Sequence, residues 1–259
     1  MNSDELGLPI EYQQYPEFFD NPANANYANA KNKAIEELLN KYNAKSVLDL
    51  TCGTGSQVFH LTNLGYKVTG SDFSPKLLEI ARDKASNQKL NIPFVDGDMR
   101  SSQLGQFDAV ITIDNAIGHL VKSDFEVAIR NIGLNLKDGG IYIFDILDLK
   151  SMTDEVIDAD SKRVSDKTTI NGVVISNLRQ ATIDRNDGIL TSNETITIQK
   201  GEDQKTINNR SSLQIYTVEQ LNKILSGNGF KTIEQFKIDT YTFNKDNDGY
   251  AILTVAKKQ

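Results

Sequence analysis

Val47-Leu48-Asp49-Leu50-Thr51-Cys52-Gly53-Thr54-Gly55-Ser56 decides how this 259-residue chain is read. A short apolar run, Ser46 to Leu50, has the length of a buried strand. The glycines at 53 and 55 permit a tight backbone turn that a ligand can approach without Cβ collisions. The next apolar positions continue as a helix through Leu64, whose first amide groups have no partner inside the helix and favour an anionic group. Strand, glycine turn and helix in that order are the setting a nucleotide-binding turn requires.

Working outward, the same alternation continues. Tyr66 to Ser71 reads as a second strand and Asp72 stands at its end, 23 residues after Asp49. A carboxylate in that place is able to accept both hydrogen bonds of a ribose diol. Ser74 as N-cap and Pro75 as first residue open a helix to Ser86. Ile92 to Val95 and Phe107 to Ile113 are the third and fourth strands. Asp124 to Leu136 is a helix, Asp138-Gly139-Gly140 a turn and Ile141 to Ile146 a fifth strand. Strands separated by helices predict right-handed crossovers and a parallel, doubly wound α/β sheet.

Both flanks differ. The first 25 or so residues are polar and aromatic (Tyr12, Tyr15, Phe18, Phe19, Pro22) and read as an ordered arm or lid, with a free tail as the alternative. A helical pattern with Ala30, Ala34, Ile35, Leu38 and Leu39 on one face runs from Asn26 to Tyr42. After Asp148 the rhythm changes. Val164 to Ile215 is rich in Thr, Val and Ile, with Asn171-Gly172 and Asp187-Gly188 as hairpin signals. A polar turn at Lys200 to Gln204 leads to a further strand, giving an inserted antiparallel meander. Thr217 to Ser226 is a helix with Thr217 and Gln220 in capping-box positions, ended near Gly227 and Gly229. Phe230 to Phe236 and Tyr250 to Ala256 are the last strands. The divisions expected are 1–45 for the arm and first helix, 46–150 for the cofactor-binding core, 151–215 for the insert over an acceptor and 216–259 for the remainder of the core.

The segment Asp49-Leu50-Thr51-Cys52-Gly53-Thr54-Gly55 resembles motif I of the class I S-adenosylmethionine-dependent methyltransferases. The resemblance implies a seven-stranded Rossmann-like methyltransferase sheet with S-adenosylmethionine as cofactor. Asp49, Thr51, Cys52, Gly53 and Gly55 would form the cofactor turn, and Asp72, followed by Phe73, matches the family's ribose-binding acid. Asp98 and Met99 of Gly97-Asp98-Met99 match the segment that contacts adenine. Asp114-Asn115-Ala116-Ile117-Gly118-His119-Leu120 resembles the loop of small-molecule N-methyltransferases typified by glycine N-methyltransferase. There Asn115 and His119 would lie near the methionine end of the cofactor, as candidate catalytic groups, and Asp114 is a further candidate for cofactor binding. Tyr216 to Leu221, with Gly229-Phe230, resembles the family's late helix and strand. Thr51 departs from the glycine usual at its position. The likeness is strong over residues 45–148, moderate over 213–256 and weak elsewhere.

Other readings stay open on the residues alone. A dinucleotide fingerprint needs a third glycine where Val58 stands, which weakens a nicotinamide oxidoreductase. The Gly-Lys phosphate loop is absent. A non-catalytic S-adenosylmethionine-binding module is also compatible. Cys52, the single cysteine, lacks a histidine partner for nucleophilic chemistry and reads as packing. His60 reads as structural. Tyr12, Tyr15 and Tyr27 would cover the cofactor or pack, while Arg179 and Glu194 sit on the two strands of one expected hairpin. No metal site is expected.

Composition limits the partners. The formal net charge is −7, with 35 acidic against 28 basic residues, so a phosphate backbone is repelled on average and nucleic acid is not the expected substrate. One cysteine excludes an intrachain disulfide and points to a reducing compartment. Asp4 and Glu5 stand where a signal peptide would be basic, and no apolar run reaches the ~18 residues of a membrane span. A cytoplasmic enzyme acting on a small-molecule acceptor, with no membrane partner and an oligomeric state left open, is the expectation.

Overall fold

A computed structural model describes residues 7–12, 14–20, 24–161, 168–170, 172–240 and 242–259. Seven strands make the main sheet: β1 (Ser46–Asp49), β2 (Lys67–Asp72), β3 (Phe94–Asp96), β4 (Phe107–Thr112), β5 (Leu136–Leu147), β10 (Phe230–Ile238) and β11 (Ala251–Lys258). Their spatial order is β3-β2-β1-β4-β5-β11-β10. The first five are parallel, as the strand–helix alternation requires. The sheet is mixed at its other edge, because β11 runs antiparallel to both β5 and β10. The turn expected at Asp138-Gly139-Gly140 is absorbed within β5 as an irregularity. Phe107 pairs with Leu136, and Ala109 with Ile141, so extra residues of β5 stand against β4.

Helices cover both faces. Val47, Ile111, Ile143 and Leu253 meet Ile35 and Leu39 of α1 (Ala25–Lys41), Val58 and Leu61 of α2 (Ser56–Asn63) and Leu78 of α3 (Pro75–Asn87). Leu48, Val110, Tyr142 and Phe144 on the other face meet Phe125 and Ile129 of α4 (Lys122–Leu134) and Leu221 and Leu225 of α6 (Val218–Gly227). The caps follow the local chemistry. Ser74 Oγ accepts from the Leu77 amide with Pro75 at the first position, and Thr217 and Gln220 form the complete capping box. Among the described residues no helix is long and apolar enough to cross a membrane.

The insert is a separate four-stranded antiparallel sheet of β6 (Thr168–Ile170), β7 (Val173–Asp184), β8 (Ile189–Lys200) and β9 (Asp203–Gln214). The two hairpins signalled by Asp187-Gly188 and the turn after Lys200 are both present, and Arg179 pairs directly with Glu194. Val164 and Asn171 lie outside the described residues. The alternation pattern missed one helix, α5 (Asp154–Ser161), which precedes the sheet. Its start is marked by Thr153, whose carbonyl accepts from the Ile157 amide. Met152, Ile157, Ala181, Leu190 and Ile215 form a small core between this helix, the sheet and the main body.

Candidate cofactor and acceptor site

Strand order reverses between β1 and β4, and in an open α/β sheet the crevice at that point lies outside the carboxyl ends of the strands. The motifs from the sequence sit there. The turn 50–55 follows β1, Asp72 ends β2, Asp98 lies past β3, and Asp114 and Asn115 lie past β4. Gly53 has φ +52 and Gly55, the residue before α2, has φ +89. A Cβ on Gly53 would stand 2.8 Å from the ring of Phe19, so glycine is needed there for backbone conformation and for space.

A cavity of about 860 Å³ opens at these strand ends. Of the expected residues Thr51, Asp72, Phe73, Asp98, Met99, Asp114 and His119 line it. Asp49, Cys52, Gly53, Gly55 and Asn115 do not. Cys52 is buried beneath the turn against Gly70, and burial raises its thiol pKa well above the ordinary value. Val58, where a dinucleotide fingerprint has its third glycine, is fully buried in the core.

Asp72 is 5% exposed, and each carboxylate oxygen accepts one backbone amide, Oδ2 from Gly53 at 2.8 Å and Oδ1 from Ser74 at 2.9 Å. Burial raises its pKa despite those bonds. Each oxygen keeps lone-pair capacity toward the cavity, which suits a diol. Thr51 also lines the cavity, and its Oγ1 is buried without a hydrogen-bond partner among the described residues. Asp98 is held by Arg100, whose Nε donates to both carboxylate oxygens and whose Nη1 donates to Asp124 at 2.6 Å. Burial raises the Asp98 pKa, but the Arg100 guanidinium and amide outweigh it and leave the carboxyl below its ordinary value. Asn131 Nδ2 donates to the carbonyls of Met99 and Ser102, and Asn135 Oδ1 accepts from the Leu104 amide, fixing this loop from behind.

The arm lies over the cavity. Leu8, Tyr12 and Phe19 line it, Tyr12 packs edge-on to Phe73 and His119, and Ser74 Oγ donates to the Tyr12 carbonyl. Asp20 accepts from Thr54 Oγ1 and Lys84 Nζ, both at 2.6 Å. The other side of the arm touches the insert. Lys205 donates to the Tyr15 hydroxyl and Asn209 to the Leu8 carbonyl. His119 Nε2 is hydrogen-bonded to the Tyr12 hydroxyl at 3.3 Å. Burial pushes the imidazole down to about 4, against the opposing pull of the Ser212 carbonyl, so the ring is neutral at pH 7.

Several site residues escaped the sequence reading. Lys31, 9% exposed on α1, pairs with Asp114, which also accepts from the Tyr27 hydroxyl at 2.6 Å. Lys31 falls one turn before Ile35 on the apolar face, a signal that a helical-face count would detect. Asp145 is 2% exposed inside β5 and accepts from the Asn115 amide at 3.2 Å. It is the one charge in the run Ile141 to Leu147, and a carboxylate in a strand buried on both faces is itself a signal. Burial first, then the Asp114 charge, raise the Asp145 carboxyl pKa above its ordinary value. Asp49, equally buried, is pushed to about 7, by burial foremost. Among the described residues no three His, Cys, Asp or Glu side chains converge on a metal position.

A glycine turn at the switch point, an acid at the end of β2 and a cavity between them define a nucleotide-cofactor domain of the Rossmann-like kind. Comparison with known proteins carries this further. Residues 47–140 match the family described as "Methyltransferase domain". The chain is 33% identical to human glycine N-methyltransferase over 125 residues, 42% of each chain. It is 37% identical to the putative methyltransferase YqeM of Bacillus subtilis over 103 residues, 39% of this chain and 41% of that one. It spans about half the length of the curated relatives it matches, 41% and 58% for two of them. The crystal structure of Streptomyces venezuelae DesVI superposes with a TM-score of 0.74 at 19% identity, covering 95% of this chain and 97% of that one. The sugar N-methyltransferase KedS8 from Streptoalloteichus gives 0.70 at 18% identity over 96% and 93%. Residues 47–140 therefore carry a methyltransferase domain of the class I, S-adenosylmethionine-dependent kind.

Proposed function

We propose that this protein transfers the methyl group of S-adenosylmethionine to a nitrogen or oxygen of a small-molecule acceptor, in the cytoplasm. The observation that carries this reading is the switch-point cavity walled by Thr51, Asp72, Phe73, Asp98, Met99, Asp114 and His119. The fit is chemical. Asp72 has acceptor capacity for a ribose diol, Phe73, Met99 and Leu120 offer apolar surface to a purine, and Thr51 stands in the same wall. Bound there, the cofactor supplies a methyl group made electrophilic by its sulfonium, and the reaction is an in-line displacement by the acceptor's lone pair.

The residues align and exclude water, which accounts for ~7–11 kcal/mol in well-oriented reactions. The arm supplies the cover, with Tyr12 and Phe19 over the cavity. His119, neutral and bonded to Tyr12, is a weak proton acceptor, so its role in this reading is to hold the arm in place. Asp114, fixed by Lys31 and Tyr27, gives the methionine end a negative wall. Names among the relatives, glycine N-methyltransferase and a sugar N-methyltransferase, support a small acceptor.

Calorimetry with S-adenosylmethionine and S-adenosylhomocysteine tests the reading. Both are expected to bind, NAD is not, and Asp72→Ala is expected to weaken binding at least about tenfold. Heat with NAD and none with either sulfur compound would overturn it.

A further inference from the structure

The carboxyl ends of β1, β4 and β5 bring three acidic side chains together at and behind the wall of the cofactor cavity. Asp49, 4% exposed at the end of β1, accepts from the amide of Thr51, a residue of that wall, at 3.2 Å. Asp114, past β4, stands in the wall itself. Asp145, 2% exposed in β5, accepts from the amide of the next residue, Asn115. The three sit on adjacent strands in the order β1, β4, β5, so each feels the charge of its neighbour.

Positive charge is scarce around them. The charges that weigh most on Asp49 are Asp72 and Asp114, which oppose its ionisation, and Lys31 of α1, which favours it. On Asp145 the charges are again Asp114 against Lys31. The Lys31 ammonium is paired with Asp114, which also accepts from the Tyr27 hydroxyl. The other groups facing the cluster bring no cation. Burial keeps the Tyr12 hydroxyl of the arm and the Cys52 thiol of the turn protonated, and leaves His119 neutral at pH 7. Arg100, farther along the cavity, is engaged by Asp98 and Asp124. One ammonium thus stands against three carboxyl groups, two of them buried. Burial foremost raises both buried groups, Asp49 to about 7, so the cluster holds an exchangeable proton near neutral pH.

S-adenosylmethionine and S-adenosylhomocysteine share purine, ribose, amine and carboxylate. They differ by one methyl group and one positive charge at sulfur, and a positive charge near a carboxyl favours its ionised form. We propose that this cluster reads the charge on sulfur: Asp49 gives its proton to solvent when the sulfonium occupies the cavity and keeps it when the thioether does. The inference rests on the methyl-transfer reading above. In the exchange the carboxyl O–H bond breaks, its electron pair stays on oxygen, and the new carboxylate stands opposite the sulfonium. Once the methyl group has left, sulfur is neutral, Asp49 takes a proton back, and the charge pairing that favoured the cofactor is gone from the product. Asp49 and Lys31 therefore set the preference for cofactor over product without touching either.

Calorimetric titration of the whole chain with each compound at pH 6, 7 and 8, in buffers of different ionisation enthalpy, tests this. At pH 6 S-adenosylmethionine is expected to release most of one proton, and its affinity to rise about tenfold by pH 8. S-adenosylhomocysteine is expected to release none and to stay within about twofold over the same range. Asp49→Asn should flatten the S-adenosylmethionine profile. Lys31→Met, which removes the ammonium, should move the rise to higher pH. Parallel profiles for the two compounds, proton release with both or with neither, or a profile unmoved by both substitutions would each overturn the proposal. If either variant does not fold, the buffer-dependent heats of the unaltered chain decide. Absence of binding by both compounds at every pH would instead bring down the methyl-transfer reading itself.

Discussion

The two sheets solve opposite problems. β4 and β5 are covered by helices on both sides, and their central residues, Val110, Ile111, Tyr142, Ile143 and Phe144, are fully buried. In the second sheet the buried positions concentrate at the ends next to the main body, such as Leu190 to Ser192 in β8 and Ser212 and Gln214 in β9. The far ends, Gln199 to Gln204, are exposed, and β9 reads Asp-Gln-Lys-Thr-Ile-Asn-Asn-Arg before it reaches cover. Burial thus fixes side chains along the whole of one sheet but only along one border of the other. That border packs on α5 and the main body, so the insert's side chains are fixed chiefly where they meet the rest of the molecule.

The largest expected break in this contrast is in stability. Phe144→Ala in the main sheet should cost about 3–5 kcal/mol, whereas Leu178→Ala, 46% exposed in the second sheet, should stay within about 0.5 kcal/mol. Urea denaturation of both variants checks this. A smaller effect compares two turns with positive φ. Gly53→Ala meets Phe19 and the cofactor turn, so cofactor affinity should fall at least about tenfold. Gly172→Ala, at φ +78 with open space around it, should cost only ~1 kcal/mol of backbone strain and leave affinity unchanged.

A further contrast concerns pH. Asp49 has its folded-state pKa raised to about 7 from 3.8, so the native state holds a proton that the unfolded state has released. Stability from this group is full below about pH 4 and is lost as pH rises through about 7. His119 works the other way, since its lowered folded pKa means stability falls as pH drops from about 6.5 to about 4. Comparing wild type with Asp49→Asn isolates the first term. The variant's relative stability should increase from pH 4 to pH 8, with no such trend for Asp108→Asn at the opposite, amino-terminal end of the strands.

What the sequence disclosed follows the range of the interactions. The glycine turn, Asp72, the Ser74 and Thr217 caps and the hairpins depend on neighbours within a few residues, and all were legible. The placement of β11 between β5 and β10 was not, because strand order is set by pairing between distant segments. The same holds for the site. Thr51 and Asp72, which line the cavity, belong to a local motif. Lys31 and Tyr27 act through Asp114, 83 and 87 residues away, and Tyr12 meets His119 at a separation of 107. Asn115, expected beside the cofactor, lines the cleft between the main body and the insert and not the cavity at the strand ends, and the left-handed backbone at 114 and 115 leaves no trace in a motif.

The threading of β11 has a kinetic consequence. Ala251 pairs with Leu147, and β10 has no neighbour in the sheet except β11, so neither late strand docks until a loop of more than a hundred residues closes. Closing so long a loop is slow when the intervening segment is a random coil. Here that segment contains hairpins β7–β8–β9, whose pairings are between sequence neighbours and form early. By collapsing into its own sheet, the insert draws the ends of the gap together and makes the final zipper of the main sheet a short-range event.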